Sequence, residues 1–280
     1  MFALNTAKKE RREIPLFFNE EKKKQLEESK WVRSQFDEAI KKEEFQVYYQ
    51  PKVCLKNYTL SGAEALCRWN HEGKLISPGV FIPPLEESSG IVRLDYYMLE
   101  HVCSDIRRWL DEGKTPVRIS VNLSRRHFGD QKLLQHIVEI IDRYKVPHKY
   151  IEIELTETST AVELKELKTL LFGLKKQGIN TSIDDFGTGY SSLNLIRELP
   201  WSVIKLDKSF LDSEGTDSRK AQMMFSHVIA LARELGMECI TEGIETVEQV
   251  KMLKENNCYH AQGFYFDRPI PVDQFEKRLC

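Results

Sequence analysis

The sequence of 280 residues predicts an α/β protein built as a (β/α)8 barrel. From Phe45 onward, short apolar strands alternate with longer stretches whose apolar residues recur at helical spacing. Glycines or prolines often stand close to the ends of those helical stretches, where they favour a turn. Eight strand candidates with helical crossovers favour a closed barrel over an open doubly wound sheet.

The first 43 residues differ from the rest because charged side chains dominate them. Val32, Phe36 and Ile40 recur at four-residue steps, a spacing that predicts an amphipathic helix with a thin apolar face. We interpret residues 21–43 as a solvated linker helix that plays no part in binding nucleic acid.

The barrel strands are predicted in the segments FQVYYQPKV, LSGAEALCRW, VRISVNLS, YIEIELTE, NTSIDDF, VIKLD, MECITEGIE and HAQGFYF. The helices predicted between them are YMLEHVCSDIRRWLDEG, KLLQHIVEIIDRYK, LKELKTLLFGLKKQG, KAQMMFSHVIALARELG and TVEQVKMLKENN. The long stretch between the second and third strands and the hairpin-like start indicate that the barrel is not fully regular.

Composition limits the class of protein. A net charge of -2 gives no general attraction to a nucleic-acid polymer, so an anionic ligand must be held by a local site. The cysteines are scattered without metal-ligand spacing, which favours reduced thiols in a core. No segment resembles a signal peptide or a membrane span, and we therefore expect a cytoplasmic protein.

Polar side chains interrupt several strands that should be almost wholly apolar if both faces were buried. They lie in or just beyond the later part of each strand, and in an α/β barrel those ends share the face on which active sites form. They are Glu64, Asn122, Glu154, Asp184, Asp185, Lys205, Glu242 and Gln262. Converging carboxylates would repel one another, so divalent cations are expected between them. Oxygen ligands without His or Cys favour Mg2+ or Mn2+ over Zn2+.

Two reactions fit a barrel that combines metal, carboxylates and a lysine. In the first, Lys205 removes a proton next to a substrate carboxylate while the metal holds the enediolate, as in a lyase or racemase. In the second, two ions straddle the attacking and leaving oxygens of a phosphoester. The adjacent aspartates favour the second reaction, because Asp184 can bridge two ions while Asp185 serves only one.

The same polar residues belong to motifs that occur in a defined order. They are YQP at 49–51, EALCRW at 64–69, VNLS at 121–124, ELTE at 154–157, DDFGTGYSS at 184–192, KLD at 205–207, EGIE at 242–245 and QG at 262–263. The sequence thereby resembles the EAL-domain phosphodiesterases, which cleave the bacterial second messenger cyclic di-GMP to linear pGpG. The resemblance covers roughly residues 44–280 and implies a modified TIM barrel with an antiparallel first strand.

The resemblance also implies a role for each site residue. The implied metal ligands are Glu64, Asn122, Glu154 and Asp184 for one ion and Asp184 and Asp185 for the second. Glu242 would act as general base or orient the attacking water, and Lys205 would position that water and offset charge. The residues implied to contact substrate or complete the inner shell are Gln50, Leu66, Arg68 and Gln262. Glu157 would anchor the glycine-containing loop after Asp185 and so connect the site to a second subunit of a homodimer.

Residues 1–20 carry a short resemblance of their own. Ala3-Leu4 followed by Ala7-Lys8-Lys9 and Arg11 is similar to the closing helix of a GGDEF diguanylate cyclase domain. This implies a longer GGDEF–EAL protein whose upstream cyclase or sensor domains could tether it to a membrane. A catalytically silent cyclic di-GMP receptor is the alternative to an active phosphodiesterase.

Overall fold

The computed structural model describes residues 20–156, 161–186, 193–211 and 218–279. Its contacts divide the chain into two compact units. One unit comprises Met1–Phe45 and Arg68–Ile91, and the other comprises Gln46–Cys67 and Val92–Cys280.

The smaller unit is built around helix α1 (Glu20–Lys41) and helix α2 (Pro78–Glu87). It also contains the short strand β3 (Lys74–Ile76), which pairs antiparallel with the end of β2 (Thr59–His71). Val32 and Phe36 of α1 are buried, so the apolar face of this predicted linker helix lies in a core and not in solvent.

Aromatic stacking holds α1 within this unit. The ring of Trp31 stacks on Trp69 at 5.0 Å, and Phe45 stacks on the same indole at 5.1 Å. The indole N–H of Trp69 donates to a Glu44 carboxylate oxygen at 2.9 Å, and a ring nitrogen of His71 lies 2.8 Å from the same oxygen.

The larger unit contains a closed barrel of eight strands. The strands are β1 (Phe45–Cys54), β2, β4 (Arg118–Asn122), β5 (Ile151–Thr156), β6 (Asn180–Phe186), β7 (Val203–Leu206), β8 (Glu238–Thr241) and β9 (His260–Gln262). They follow the order β1-β9-β8-β7-β6-β5-β4-β2, and a pairing between β1 and β2 closes the ring. The pairs from β2 through β4 to β9 are parallel, whereas β1 is antiparallel to β9 and to β10 (Ile270–Pro271). The predicted modified (β/α)8 barrel with an antiparallel first strand is confirmed.

Helices connect the parallel strands. They are α3 (Gly90–Asp111), α4 (Leu133–Arg143), α5 (Ala161–Gln177), α6 (Leu193–Glu198), α7 (Ser218–Glu234) and α8 (Val247–Glu255), and a short helix α9 (Val272–Phe275) follows β10. Helix α8 begins with a capping box, in which Thr246 and Gln249 satisfy each other's backbone N–H groups. Among the described helices, none combines the length and apolar character that a bilayer crossing requires.

Candidate active site

Strand alternation gives β4 an apolar face and a polar face. In β4, the apolar residues Ile119 and Val121 are buried on one face, and Ser120 and Asn122 take the other. Asn122 is the exposed last residue of its strand. It stands opposite Glu154 of β5, so two predicted metal ligands occupy neighbouring positions.

The ammonium group of Lys205 lies at the centre of the site. Its Nζ atom contacts Glu154 Oε1 most closely and lies 2.7 Å from Glu242 Oε1 and 2.9 Å from Asp184 Oδ1. Glu64 Oε2 is 3.5 Å away. The Lys205 side chain is only 1% exposed, so its charge and those of the carboxylates interact with little screening by water.

A chain of amide groups connects these carboxylates to β1 and β9. The side-chain amide of Asn122 donates to Glu64 Oε1 at 3.0 Å. Gln262 Nε2 donates to Glu64 Oε2 at 2.6 Å and to Gln50 Oε1 at 3.0 Å. Gln50 in turn donates to the backbone oxygen of Asp267 at 3.2 Å. Both oxygens of Glu64 are thereby oriented.

Two carboxyls that face Lys205, those of Glu242 and Glu64, have pKa values shifted in opposite directions. Burial raises the pKa of Glu242 above its ordinary value, and the charge of Lys205 only partly offsets that effect. Burial acts on Glu64 in the same sense, but Lys205, Lys52 and the two amide donors outweigh it and lower the pKa of Glu64. Glu242 is therefore the better proton acceptor of the two.

The donor set fits a hard divalent cation. Carboxylate oxygens of Glu64, Glu154 and Glu242 all lie within 4.8 Å of one another, which concentrates negative charge in one place. Glu154 Oε2 is buried and makes no hydrogen bond, so it retains a lone pair for a metal. Carboxylate and amide oxygens are ligands that suit Mg2+ and Mn2+.

The predicted site also includes Asp185, Glu157, Leu66 and Arg68. The Asp185 side chain and the whole of Glu157 lie outside the described residues. Leu66 is a partly buried residue of β2 in the barrel unit. Arg68 is also partly buried in β2, but it belongs to the smaller unit.

A second buried ionic layer was not predicted from the sequence. The Lys52 ammonium donates to Ser120 at 2.9 Å and to Glu152 Oε1 at 3.2 Å. Arg118 lies 2.7 Å from Glu152 Oε2 and donates to Glu238 at 2.7 Å. Lys52 stands two residues after Gln50, and Glu152 stands two residues before Glu154. Alternation along each strand could therefore have placed both side chains in the barrel interior.

A buried carboxylate anchors the turn that follows Asn122. Asp95 Oδ2 accepts from the backbone N–H of Ser124 at 2.8 Å and lies 3.0 Å from a ring nitrogen of His127. Burial raises the pKa of Asp95, although these contacts oppose the shift. Asp95 belongs to α3, and no sequence pattern connects it with the turn.

A close backbone approach positions the segment after Glu242. The N–H of Ile244 donates to the carbonyl of Gln262 at 3.1 Å, and the N–H of Tyr265 donates to the carbonyl of Ile244 at 2.9 Å. A Cβ atom at Gly263 would overlap the backbone N and O atoms of Ile244. Glycine at this position therefore lets the ends of β8 and β9 meet.

Comparison with known proteins agrees with this geometry. The sequence profile of the EAL domain matches residues 33–269. The signaling protein YkoW of Bacillus subtilis is 37% identical over 241 residues, which are 86% of this chain and 30% of YkoW. The bifunctional diguanylate cyclase/cyclic di-GMP phosphodiesterase MucR of Pseudomonas aeruginosa is 33% identical over 273 residues, which are 97% of this chain and 40% of MucR.

A solved structure extends the likeness to three dimensions. The PaMucR phosphodiesterase in complex with c-di-GMP is 34% identical, with a TM-score of 0.80 over 88% of this chain and 99% of that chain. The fold and the carboxylate site thus define an EAL-type barrel. The chain belongs to the EAL domain family. It spans less than half the length of the two curated relatives.

Proposed function

We propose that this chain is an active phosphodiesterase that hydrolyses cyclic di-GMP to linear pGpG with the help of two Mg2+ or Mn2+ ions. The observation that carries the proposal is the convergence of Glu64, Glu154, Asp184 and Glu242 on Lys205 at the interior of the barrel. The phosphodiesterase names of MucR and of the solved PaMucR domain support the choice of substrate.

The proposed metal ligands are Glu64, Asn122, Glu154, Asp184 and Asp185, with Asp184 shared. The buried oxygen of Glu154 that makes no hydrogen bond supports this assignment. Bound ions would supply charge neutralisation to the phosphodiester and acidify a water molecule.

The chain's own side chains carry the remaining chemistry. The raised pKa of Glu242 suits a general base that accepts the proton of the attacking water. Lys205 holds Glu242 Oε1 at 2.7 Å and offsets negative charge while the proton moves. Once protonated, Glu242 no longer repels the neighbouring carboxylates.

Substrate contacts are proposed for Gln50, Leu66, Arg68 and Gln262. Arg68 suits a phosphate oxygen because a guanidinium group can donate two parallel hydrogen bonds. Gln262 donates a hydrogen bond to Gln50, so each amide is already oriented by the other when the substrate binds.

The biological setting is also proposed. We infer a cytoplasmic domain, residues 44–280, that follows a linker helix and works within a longer protein. A GGDEF or sensor domain upstream would accord with the two activities in the name of MucR. Glu157 and the loop after Asp185 would connect the active site to a homodimer partner.

Product analysis tests the proposal. Purified protein should convert cyclic di-GMP to pGpG with Mg2+ or Mn2+, and a chelator should stop the reaction. Ca2+ should support little turnover, because its longer bonds and higher coordination number spoil the geometry of the site. Tight calorimetric binding of cyclic di-GMP without pGpG under either metal would establish the silent receptor instead.

A further inference from the structure

Two cysteine thiols meet where β8 and β9 lie side by side. Cys239 belongs to β8, and Cys258 stands two residues before β9. The register pairs Ile240 with His260, which brings the two cysteines to adjacent parts of the parallel strands. The Cys258 thiol donates to the backbone oxygen of Cys239 at 3.6 Å, so its sulfur lies directly against the other cysteine.

Their surroundings give the two sulfur atoms different reactivity. The neighbouring Cys239 thiol lowers the pKa of Cys258, and hydrogen bonds with Thr241 and His260 act in the same sense. The neighbouring Cys258 thiol and burial raise the pKa of Cys239. The thiolate is the nucleophilic form of cysteine, so Cys258 is the attacking sulfur of the pair.

We propose that Cys239 and Cys258 form a redox modification site, which a peroxide converts to an intramolecular disulfide between β8 and β9. In the first step the Cys258 thiolate attacks one peroxide oxygen, the O–O bond breaks, and a sulfenic acid and water form. In the second step Cys239 sulfur attacks the sulfenic sulfur, the S–O bond breaks, and a second water leaves. The thiols lose two electrons, the peroxide gains two, and the thiol protons leave in the two waters.

The bond would connect the two strands that end in proposed active-site residues. Cys239 precedes Glu242 by three residues, and Cys258 precedes Gln262 by four. A disulfide draws its sulfurs closer than two thiols in van der Waals contact, so the strand ends must adjust. A misplacement of about 1 Å can lower turnover about 100-fold, so we expect oxidised protein to be slower. This consequence for turnover rests on the proposed phosphodiesterase activity, whereas formation of the disulfide does not.

Mass spectrometry of the whole chain tests the site directly. After mild treatment with hydrogen peroxide, the mass should fall by two hydrogens, and a reducing agent should restore it. Trypsin without reductant should release residues 234–251 linked to residues 255–277, which carry Cys239 and Cys258 respectively. Cys258→Ser should abolish the linked peptide. Cys103→Ser is the matched control and should leave it unchanged, because Cys103 lies in α3, outside this pair of strands, and burial raises its pKa to about 12.

Turnover measured on the same samples shows how the disulfide affects activity. Oxidised wild type should turn over cyclic di-GMP about tenfold to 100-fold more slowly than reduced wild type, with recovery on reduction, and Cys258→Ser should not respond. Absence of the linked peptide, or linkage of other cysteines in its place, would overturn the proposed site. A linked peptide with unchanged turnover would overturn its control of activity. If reduced wild type is inactive, the proposed function fails while the linked peptide still decides the site.

Discussion

At the scale of single residues, the site concentrates carboxylates around one buried ammonium group. Lys205 contacts Glu64, Glu154, Asp184 and Glu242, yet one positive charge cannot balance four negative charges. Burial makes that imbalance energetically important, because water does not screen it. The arrangement therefore favours cation binding and gives Glu242 a raised proton affinity.

Replacement of Glu242 separates catalysis from binding. Glu242→Gln should slow single-turnover hydrolysis of cyclic di-GMP by about 100-fold to 10,000-fold, because the amide cannot accept the proton. Calorimetric affinity for the substrate should change little. Glu245→Gln provides the control, since Glu245 is half exposed and pairs with Lys208 near the surface. Equal rates for Glu242→Gln and wild type would exclude Glu242 as the base.

Acid should destabilise the smaller unit through Glu44. Burial opposes ionisation of this carboxyl, but hydrogen bonds from His71 and Trp69 outweigh it and lower the pKa of Glu44 in the folded state. Its contribution to stability is complete above the unfolded value of about 4.3 and disappears as pH falls through the lower folded value. The urea midpoint of wild type should therefore fall more between neutral and acid pH than that of Glu44→Gln.

The exposed Glu38 supplies the control for this comparison. It pairs with Lys41 at the surface of α1, where its side chain is 60% exposed. Glu38→Gln should retain the acid sensitivity of wild type. Identical pH profiles for Glu44→Gln and wild type would contradict the role of the Glu44 contacts.

At the scale of elements, the barrel interior carries two polar layers. The upper layer contains Glu64, Glu154 and Lys205, and the lower layer contains Lys52 and Glu152. Glu152 is fully buried and forms ion pairs with both Lys52 and Arg118. The positive and negative side chains of the lower layer thus neutralise one another beneath the site.

Removal of one charge from the lower layer should destabilise the barrel. Lys52→Met leaves Glu152 buried with Arg118 alone, and we expect a loss of about 3 kcal/mol in the free energy of unfolding. The double variant Lys52→Met/Glu152→Gln should recover part of that loss, because the uncompensated charge is gone. Lys24→Met is the control, since Lys24 pairs with Glu28 in solvent and should lose less than about 1 kcal/mol. Equal effects at Lys52 and Lys24 in denaturant titrations would contradict the assignment.

The sequence predicts some elements better than others for physical reasons. Alternation of apolar and polar residues within short segments marks each strand, and polar residues at strand ends such as Glu154 and Lys205 mark the site. The contacts Lys52–Glu152 and Asp95–Ser124 join residues far apart in the chain, so only the fold reveals them. The packing of Trp31 on Trp69 is similar, because the spacing of apolar residues in α1 predicts an apolar face but not the surface that covers it.

At the scale of the whole molecule, the chain corresponds to the EAL part of longer relatives. YkoW and MucR extend well beyond the matched region. Helix α1 packs on α2 within the smaller unit, and Arg33 of α1 donates to Glu87 at 2.5 Å.

Metal-dependent phosphodiester hydrolysis by the carboxylates around Lys205 is tested most directly at Glu154. Mn2+ affinity and the single-turnover rate of cyclic di-GMP cleavage should be measured side by side for wild type, Glu154→Gln and Glu139→Gln. Glu139 lies on the exposed face of α4 and serves as the matched control. We predict that wild type and Glu139→Gln bind Mn2+ and form pGpG, whereas Glu154→Gln loses at least about tenfold in affinity and more in rate. Cleavage by wild type in the presence of excess chelator, or full activity of Glu154→Gln, would contradict the account.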